Sequence, residues 1–310
     1  MISILETVLP VLAMMFLGMF CKKKQFLTKS CIEGLKFLVV NVMLPLAVFH
    51  GLATASYGKE MIVSVSVMFL VMGATFLLGF VCRPLVDKPQ NKYLPFLTSV
   101  YEGGMIAYPL YTGLVGMEHL SVIAMIDIAG LLFCFGIFIN VLTQMEDHTP
   151  INVKSILCNT LKNPAFIATL LGIVAGLTGV INLLLDTPAG NVYLSIKNMM
   201  VAAMSPMILM VVGYEAELSK RLLQPCLKSM AIRAVLQGIF ACIVLGVLHI
   251  LIGKNELMDI AILVYMSAPG SLGIQSFVKD EDGCKYLAST NSLYMMLTII
   301  VYAMLSFVYR

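Results

Sequence analysis

Ser99-Val-Tyr-Glu-Gly-Gly-Met-Ile-Ala-Tyr-Pro109 sets a carboxylate, two adjacent glycines and a proline inside an apolar run covering about 96–115. A charged side chain within hydrocarbon costs several kcal/mol, so Glu102 must face a partner or an aqueous cavity. Gly103 and Gly104 let another helix or a ligand approach the backbone closely. Proline removes a helix hydrogen bond and clashes with the preceding turn. The stretch reads as an interrupted membrane helix, with Tyr108-Pro109 as its break point.

The interruption has a counterpart. A run over about 258–277 contains Ala268-Pro269-Gly270, and Pro269 follows Pro109 by 160 residues. Pro45 and Pro206, in two other apolar runs, are 161 residues apart. Two proline pairs at nearly one offset predict an internal duplication. Apolar runs fall at roughly 4–20, 32–52, 61–82, 96–115, 120–142, 164–185, 193–214, 229–252, 258–277 and 285–308. Each suits a membrane span, which needs about 20 residues. The longest connection, 143–163, separates a first repeat at 1–142 from a second at 164–310. Five spans is an odd number, so the second unit enters the membrane from the opposite side. Such inverted repeats, with Gly/Pro-interrupted spans at matching positions, mark the binding sites of secondary transporters.

Composition agrees with that class. Of 310 residues, 60% are hydrophobic and 12% charged, against about 45–50% and about 25% in soluble proteins. A net charge of +3 gives nucleic-acid binding no support. The loops after odd-numbered runs hold 14 of the 20 Lys and Arg residues, and the opposite side holds Lys59, Lys197, Lys254 and Arg310. Lys36 and Arg233 fall near the basic-side ends of the second and eighth runs. The positive-inside rule then predicts a multi-pass protein of the cytoplasmic membrane with both termini outside. Lys22-Lys23-Lys24 after the first run reads as an anchor on a retained span rather than a cleaved signal. The eight cysteines form no CxxC pair and read as small hydrophobes. With no Trp, the 12 Tyr residues are expected at the membrane interfaces.

The sequence carries no phosphate-binding loop, HExxH motif or nucleophile–His–acid order, so no enzyme chemistry and no cofactor are expected. The candidate substrate or coupling residues are those that can meet at the two breaks. Glu102, Gly103, Gly104, Tyr108 and Pro109 come from the fourth run, and Pro269, Gly270, Ser271 and Gln275 from the ninth. Ser271 and Gln275, four residues apart, are expected on one face of the second half-helix. Thr290 or Asn291 in the tenth run is expected to contact the broken ninth, and Asn41, ahead of Pro45, is a further interior polar group. Asp127 is the other intramembrane carboxylate. Freed amides at a half-helix start favour an anion, and freed carbonyls favour a cation. A proton or a sodium ion near the crossing would serve as coupling ion, and the residues leave these unseparated.

The whole chain resembles the auxin efflux carrier family, in size its bacterial, malonate-transporter-like permeases. The resemblance rests on Asn41-Val-Met-Leu-Pro45, Glu102 to Pro109, Ala268 to Lys279 and Ala288-Ser-Thr-Asn-Ser292, in that order. It implies an all-α protein of ten transmembrane helices in two inverted five-helix repeats. Broken helices four and nine would cross near the centre, as in the bile acid/sodium symporter fold. Spans one, two, six and seven would form a scaffold, and spans three to five and eight to ten a transport unit moving like an elevator. Family members often carry Asn where this chain has Glu102, so auxin specificity does not transfer. The partners implied are a small organic anion such as malonate, malate or lactate, membrane lipid, and a second copy in a homodimer as one arrangement left open. An anion channel and a non-transporting receptor or scaffold are the alternatives.

Overall fold

A computed structural model describes residues 2–55, 57–147, 164–216 and 220–309. Most of the expected connection at 143–163 lies outside them, as does Glu217. The fold is all-α among the described residues. The helices are α1 (Ile2–Lys24), α2 (Lys29–Leu38), α3 (Leu44–Ala53), α4 (Lys59–Val81), α5 (Leu94–Ser99), α6 (Tyr108–Val115) and α7 (Leu120–Phe133). There follow α8 (Ile139–Asp147), α9 (Pro164–Thr178), α10 (Val180–Leu185), α11 (Pro188–Glu215), α12 (Leu223–Ile252), α13 (Glu256–Ser267) and α14 (Glu281–Val308). Wide π turns at Val39–Met43, Gly103–Ala107 and Cys134–Phe138 join α2 to α3, lead into α6, and join α7 to α8.

Among the described residues, six helical segments are long and apolar enough to cross a membrane. They are Lys29–Ala53, Lys59–Val81, Met117–Glu146, Pro188–Glu215, Leu223–Ile252 and Glu281–Val308. Their outer faces suit lipid: Ile62, Leu70, Val81, Met199, Ile250 and Phe307 are each at least 70% exposed. Water would penalise so much bare apolar surface, whereas lipid does not. The protein is therefore a multi-pass membrane protein.

Local sequence sets the helix ends. Thr28, Thr187, Asn255 and Asp280 cap their helices by accepting a hydrogen bond from the amide three residues on. Gly116 and Gly253, at φ 97° and 87°, end α6 and α12 in a conformation that suits glycine. Pro45 and Pro109 each follow a π turn inside a longer helical segment, and the widened turn accommodates the missing N–H.

Packing gathers the helices into two groups. In one, α1 lies along α11, and α9 lies along α3. Gly18 and Gly213 make the α1–α11 contact a backbone contact. A Cβ on Gly18 would run into the Met210 carbonyl, and one on Gly213 into that of Met15. In the other group, α4 packs on α5, α7 and α12, and α12 on α13 and α14. Glu146 ties one end of that group together. It accepts from Lys92 Nζ at 3.3 Å, from the Tyr93 hydroxyl at 3.1 Å and from the Lys279 amide at 3.1 Å.

The tyrosines correct the expectation of an interfacial belt. Tyr93, Tyr101, Tyr108, Tyr111, Tyr265, Tyr286, Tyr294 and Tyr302 are all buried. Their rings fill the core and their hydroxyls supply polarity there. Tyr101, for example, donates to Gln237 Oε1 at 2.5 Å, and Tyr111 to the Leu257 carbonyl at 3.2 Å.

Candidate functional site

Two helical interruptions meet in the core. The first lies at Val100–Glu102, between α5 and the Gly103–Ala107 turn. This corrects the expected break at Tyr108-Pro109, because the chain is helical from Gly103 through Val115. The π turn absorbs the proline: the Ala107 amide reaches back to the Glu102 carbonyl at 3.1 Å. The second interruption lies at Ala268–Ser271, after α13, and a short 3₁₀ turn follows at Leu272–Phe277.

Glu102 connects the two. Its amide donates to the Pro269 carbonyl at 2.9 Å, and its carboxylate accepts from the Leu272 amide at 2.7 Å. The carboxylate thus occupies the freed amide that was expected to face an anion. Asp127 sits alongside, accepting from the Tyr108 hydroxyl at 2.8 Å and the Tyr265 hydroxyl at 2.6 Å. Gly103 makes this approach possible, since a Cβ there would lie 2.6 Å from Asp127 Oδ1. A Cβ on Gly104 would lie 2.6 Å from Leu44 Cδ2, so the second glycine admits α3.

The carbonyl side of the crossing is held by α12. Arg233 Nη1 donates to the Leu97 carbonyl, and Nη2 donates to Val100 at 3.2 Å and to Ala268 at 2.8 Å. The guanidinium also lies over the rings of Tyr101 and Tyr294, 5.2 and 4.9 Å from their centroids. Gln237, one turn on, donates to the Thr98 carbonyl at 2.6 Å. Arg233 is 1% exposed and nearly three turns into α12. Its placement by sequence near the basic-side end of its run carried no expectation that it is buried in the protein. The overlooked signal is its four-residue spacing to Gln237, which puts both on one helix face.

The other expected site residues divide. Asn291 Nδ2 approaches the Ser271 carbonyl at 3.5 Å, so it reaches the second interruption. Thr290 does not; its hydroxyl donates to the Tyr286 carbonyl of its own helix at 2.8 Å. Gly270 faces Asn291: a Cβ there would lie 3.1 Å from its Oδ1. Pro109 is buried in the first turn of α6. Asn41 turns back on its own helical run, donating to the Phe37 carbonyl at 3.0 Å. Ser271 lies in the second interruption itself, and Gln275 falls in the 3₁₀ stretch Leu272–Phe277 rather than in an α-helix. The side chain of Gln275 lies outside the described residues.

A cavity of about 750 Å³ opens beside the crossing. Leu272, Asn291 and Ser292 line it beside the crossing, Met15 and Met295 its walls, and Lys22, Lys29, Lys36, Glu33 and Glu215 its charged end. Lys36 also pairs with Glu215 at 2.8 Å, joining α2 to α11. A smaller cavity of about 330 Å³, lined by His50, Thr54, Glu118, Ser121, Lys197 and Asn198, lies toward the other end of α11. Lys197 and Glu215 are about 27 Å apart along that helix. Among the described residues, no group of three or more His, Cys, Asp or Glu side chains is arranged to hold a metal ion.

No curated protein matches the chain. Residues 3–309 match the family described as membrane transport protein, which includes the auxin efflux carriers.

Proposed function

Because the chain belongs to the membrane transport protein family, and is thus a membrane transporter rather than an enzyme, we propose that it is a secondary carrier of a small organic anion. Mono- and dicarboxylates such as lactate, malate and malonate are the substrate class. The observation that carries this reading is the large cavity. It runs from a charged end with Lys22, Lys29 and Lys36 to the crossing at Leu272 and Asn291. Glu33 and Glu215 line the same end and Glu215 pairs with Lys36, so the three lysines leave an excess of one positive charge, which favours anions. The interior offers amide and hydroxyl groups from Asn291 and Ser292, with Ser271, Gly270 and Gln275 on the adjoining segment.

Glu102 is the coupling group in this mechanism. Its carboxylate holds the Leu272 amide, where a substrate carboxylate would otherwise bind. Protonated, it carries no charge to repel an acid and accepts the amide hydrogen bond more weakly. Proton and anion are then carried together. Asp127, held by two tyrosine hydroxyls, keeps the Gly103 turn in place beside it.

Alternating access comes from the two helix groups. α1, α2, α3, α9 and α11 form the scaffold, and α4 to α8 with α12 to α14 form the moving unit that carries the crossing. The cavity lies between them, with α1, α2 and α11 on one side and α14 on the other. Packing favours ten spans in two inverted five-helix repeats. The first span packs on the seventh and the sixth on the second, a reciprocal exchange between halves. Lys228 in the first turns of α12 pairs with Asp87 at 2.9 Å, and Arg221 pairs with Asp282 in the first turn of α14 at 3.7 Å, while Lys22, Lys29 and Lys36 line the charged end of the cavity. That end is cytoplasmic by the positive-inside rule, with both termini outside.

The test is flux in proteoliposomes with labelled malonate, malate and lactate, varying pH and sodium separately. Saturable uptake of at least one acid, stimulated by an inward proton gradient, is expected. Folded protein that moves none of them overturns the reading, and non-saturating conduction replaces the carrier with a channel.

A further inference from the structure

The interruptions free backbone carbonyls at the ends of α5 and α13. In carriers with broken helices, such carbonyls coordinate a mobile cation. Here they are already taken. Arg233 donates to Leu97, Val100 and Ala268, one or more from each broken segment, and Gln237 takes Thr98. Among the described residues the guanidinium has no carboxylate partner; carbonyls and the faces of Tyr101 and Tyr294 surround it. A buried charge is tolerated only when paired and hydrogen-bonded. The partial negative charge of the two carbonyl sets fills that need, just as it would for a metal cation.

The guanidinium lies beside the second interruption: a Cβ on Gly270 would sit in ordinary contact with Arg233 Nη1, at 3.8 Å, and with the Leu97 carbonyl, at 3.7 Å. We propose that Arg233 is a tethered cation that permanently fills the carbonyl side of the crossing, so that this carrier works without an alkali-metal ion there. Arg233 is a positioning residue: it joins the two broken segments and touches no substrate. The assignment rests on reading the chain as a carrier, and it narrows the coupling ion to the proton at Glu102.

The experiment is thermal unfolding of purified full-length protein in lipid nanodiscs. The salts are sodium, potassium and choline chloride at equal ionic strength, with guanidinium added at concentrations well below denaturing. The wild type is expected to unfold at one temperature in all of them. Arg233→Ala is expected to unfold at a lower temperature that sodium or guanidinium raises by several degrees relative to choline. A sodium-specific rise in the wild type overturns the proposal, and so does an Arg233→Ala protein indifferent to every cation. If the alanine variant does not fold, the wild-type arm stands and Arg233→Lys joins it. A lysine variant that folds and ignores added cations supports the proposal. A lysine variant that also fails to fold overturns it, because charge alone then does not fill the position. No arm requires flux, so a failure of transport and a failure of this assignment are read separately.

Discussion

The two interruptions use the same punctuation, glycine and proline in an apolar run, and contribute different things. The first, Val100–Glu102, brings an ionisable side chain and leaves its proline seven residues downstream in a helical turn. The second, Ala268–Ser271, contains its proline and presents mainly backbone: the Pro269 carbonyl to Glu102, the Ala268 carbonyl to Arg233 and the Leu272 amide to Glu102. One segment is the donor of charge and the other its receiver. Sequence symmetry between halves therefore does not carry over to a symmetric division of roles.

The most severe way to break this complementarity is Arg233→Ala. It strands three carbonyls in the core, each costing about 1–3 kcal/mol when left unpaired, so stability is expected to fall by at least about 3 kcal/mol. Chemical or thermal unfolding in detergent measures it. Gly103→Ala comes next, because its methyl group would press on Asp127 from 2.6 Å. The expected cost is about 1–3 kcal/mol, with tyrosine fluorescence reporting any shift of Tyr108 and Tyr265. Glu102→Gln sharpens the comparison instead. The side-chain carbonyl still accepts from Leu272, so stability should change by no more than about 1 kcal/mol, while the dependence of flux on pH is lost. Persistence of the wild-type pH profile in that variant removes the coupling role. Pro109→Ala should have the smallest effect, within about 0.5–1 kcal/mol in either direction, since the widened turn ahead of Pro109 accommodates its missing N–H. A large loss of flux or stability in this variant would restore Pro109 as a true break point.

These residues also mark how much the sequence disclosed. The apolar runs, Glu102, Asp127 and the Ala268–Gly270 interruption were readable because charge and helix breakers stand out against hydrocarbon. The exact site of the first interruption was not. A proline is tolerated where a π turn widens the helix, and a π turn leaves no clear trace in residue type. Arg233 was counted with boundary residues because α12 is apolar on nearly all sides. With no contrast between faces, nothing in the local pattern gives an arginine its depth. Of Thr290 and Asn291, neighbours in sequence, only Asn291 reaches the second interruption, because the Thr290 hydroxyl satisfies its own helix. The buried tyrosines were misread by analogy with interfacial belts, although their hydroxyls are what the polar core required.

The reciprocal contact of Gly18 with Met210 and Gly213 with Met15 has a mechanical side. Two rods that touch at their backbones are keyed to one another. A slide along either axis would carry each glycine off the carbonyl it admits and bring towards that carbonyl a side chain of the same face, three or four residues away. The α1–α11 pair therefore resists sliding and serves as a keel. In the proposed carrier, displacement would fall to the helices on the far side of the cavity, which flexible methionine side chains such as Met15 and Met295 line.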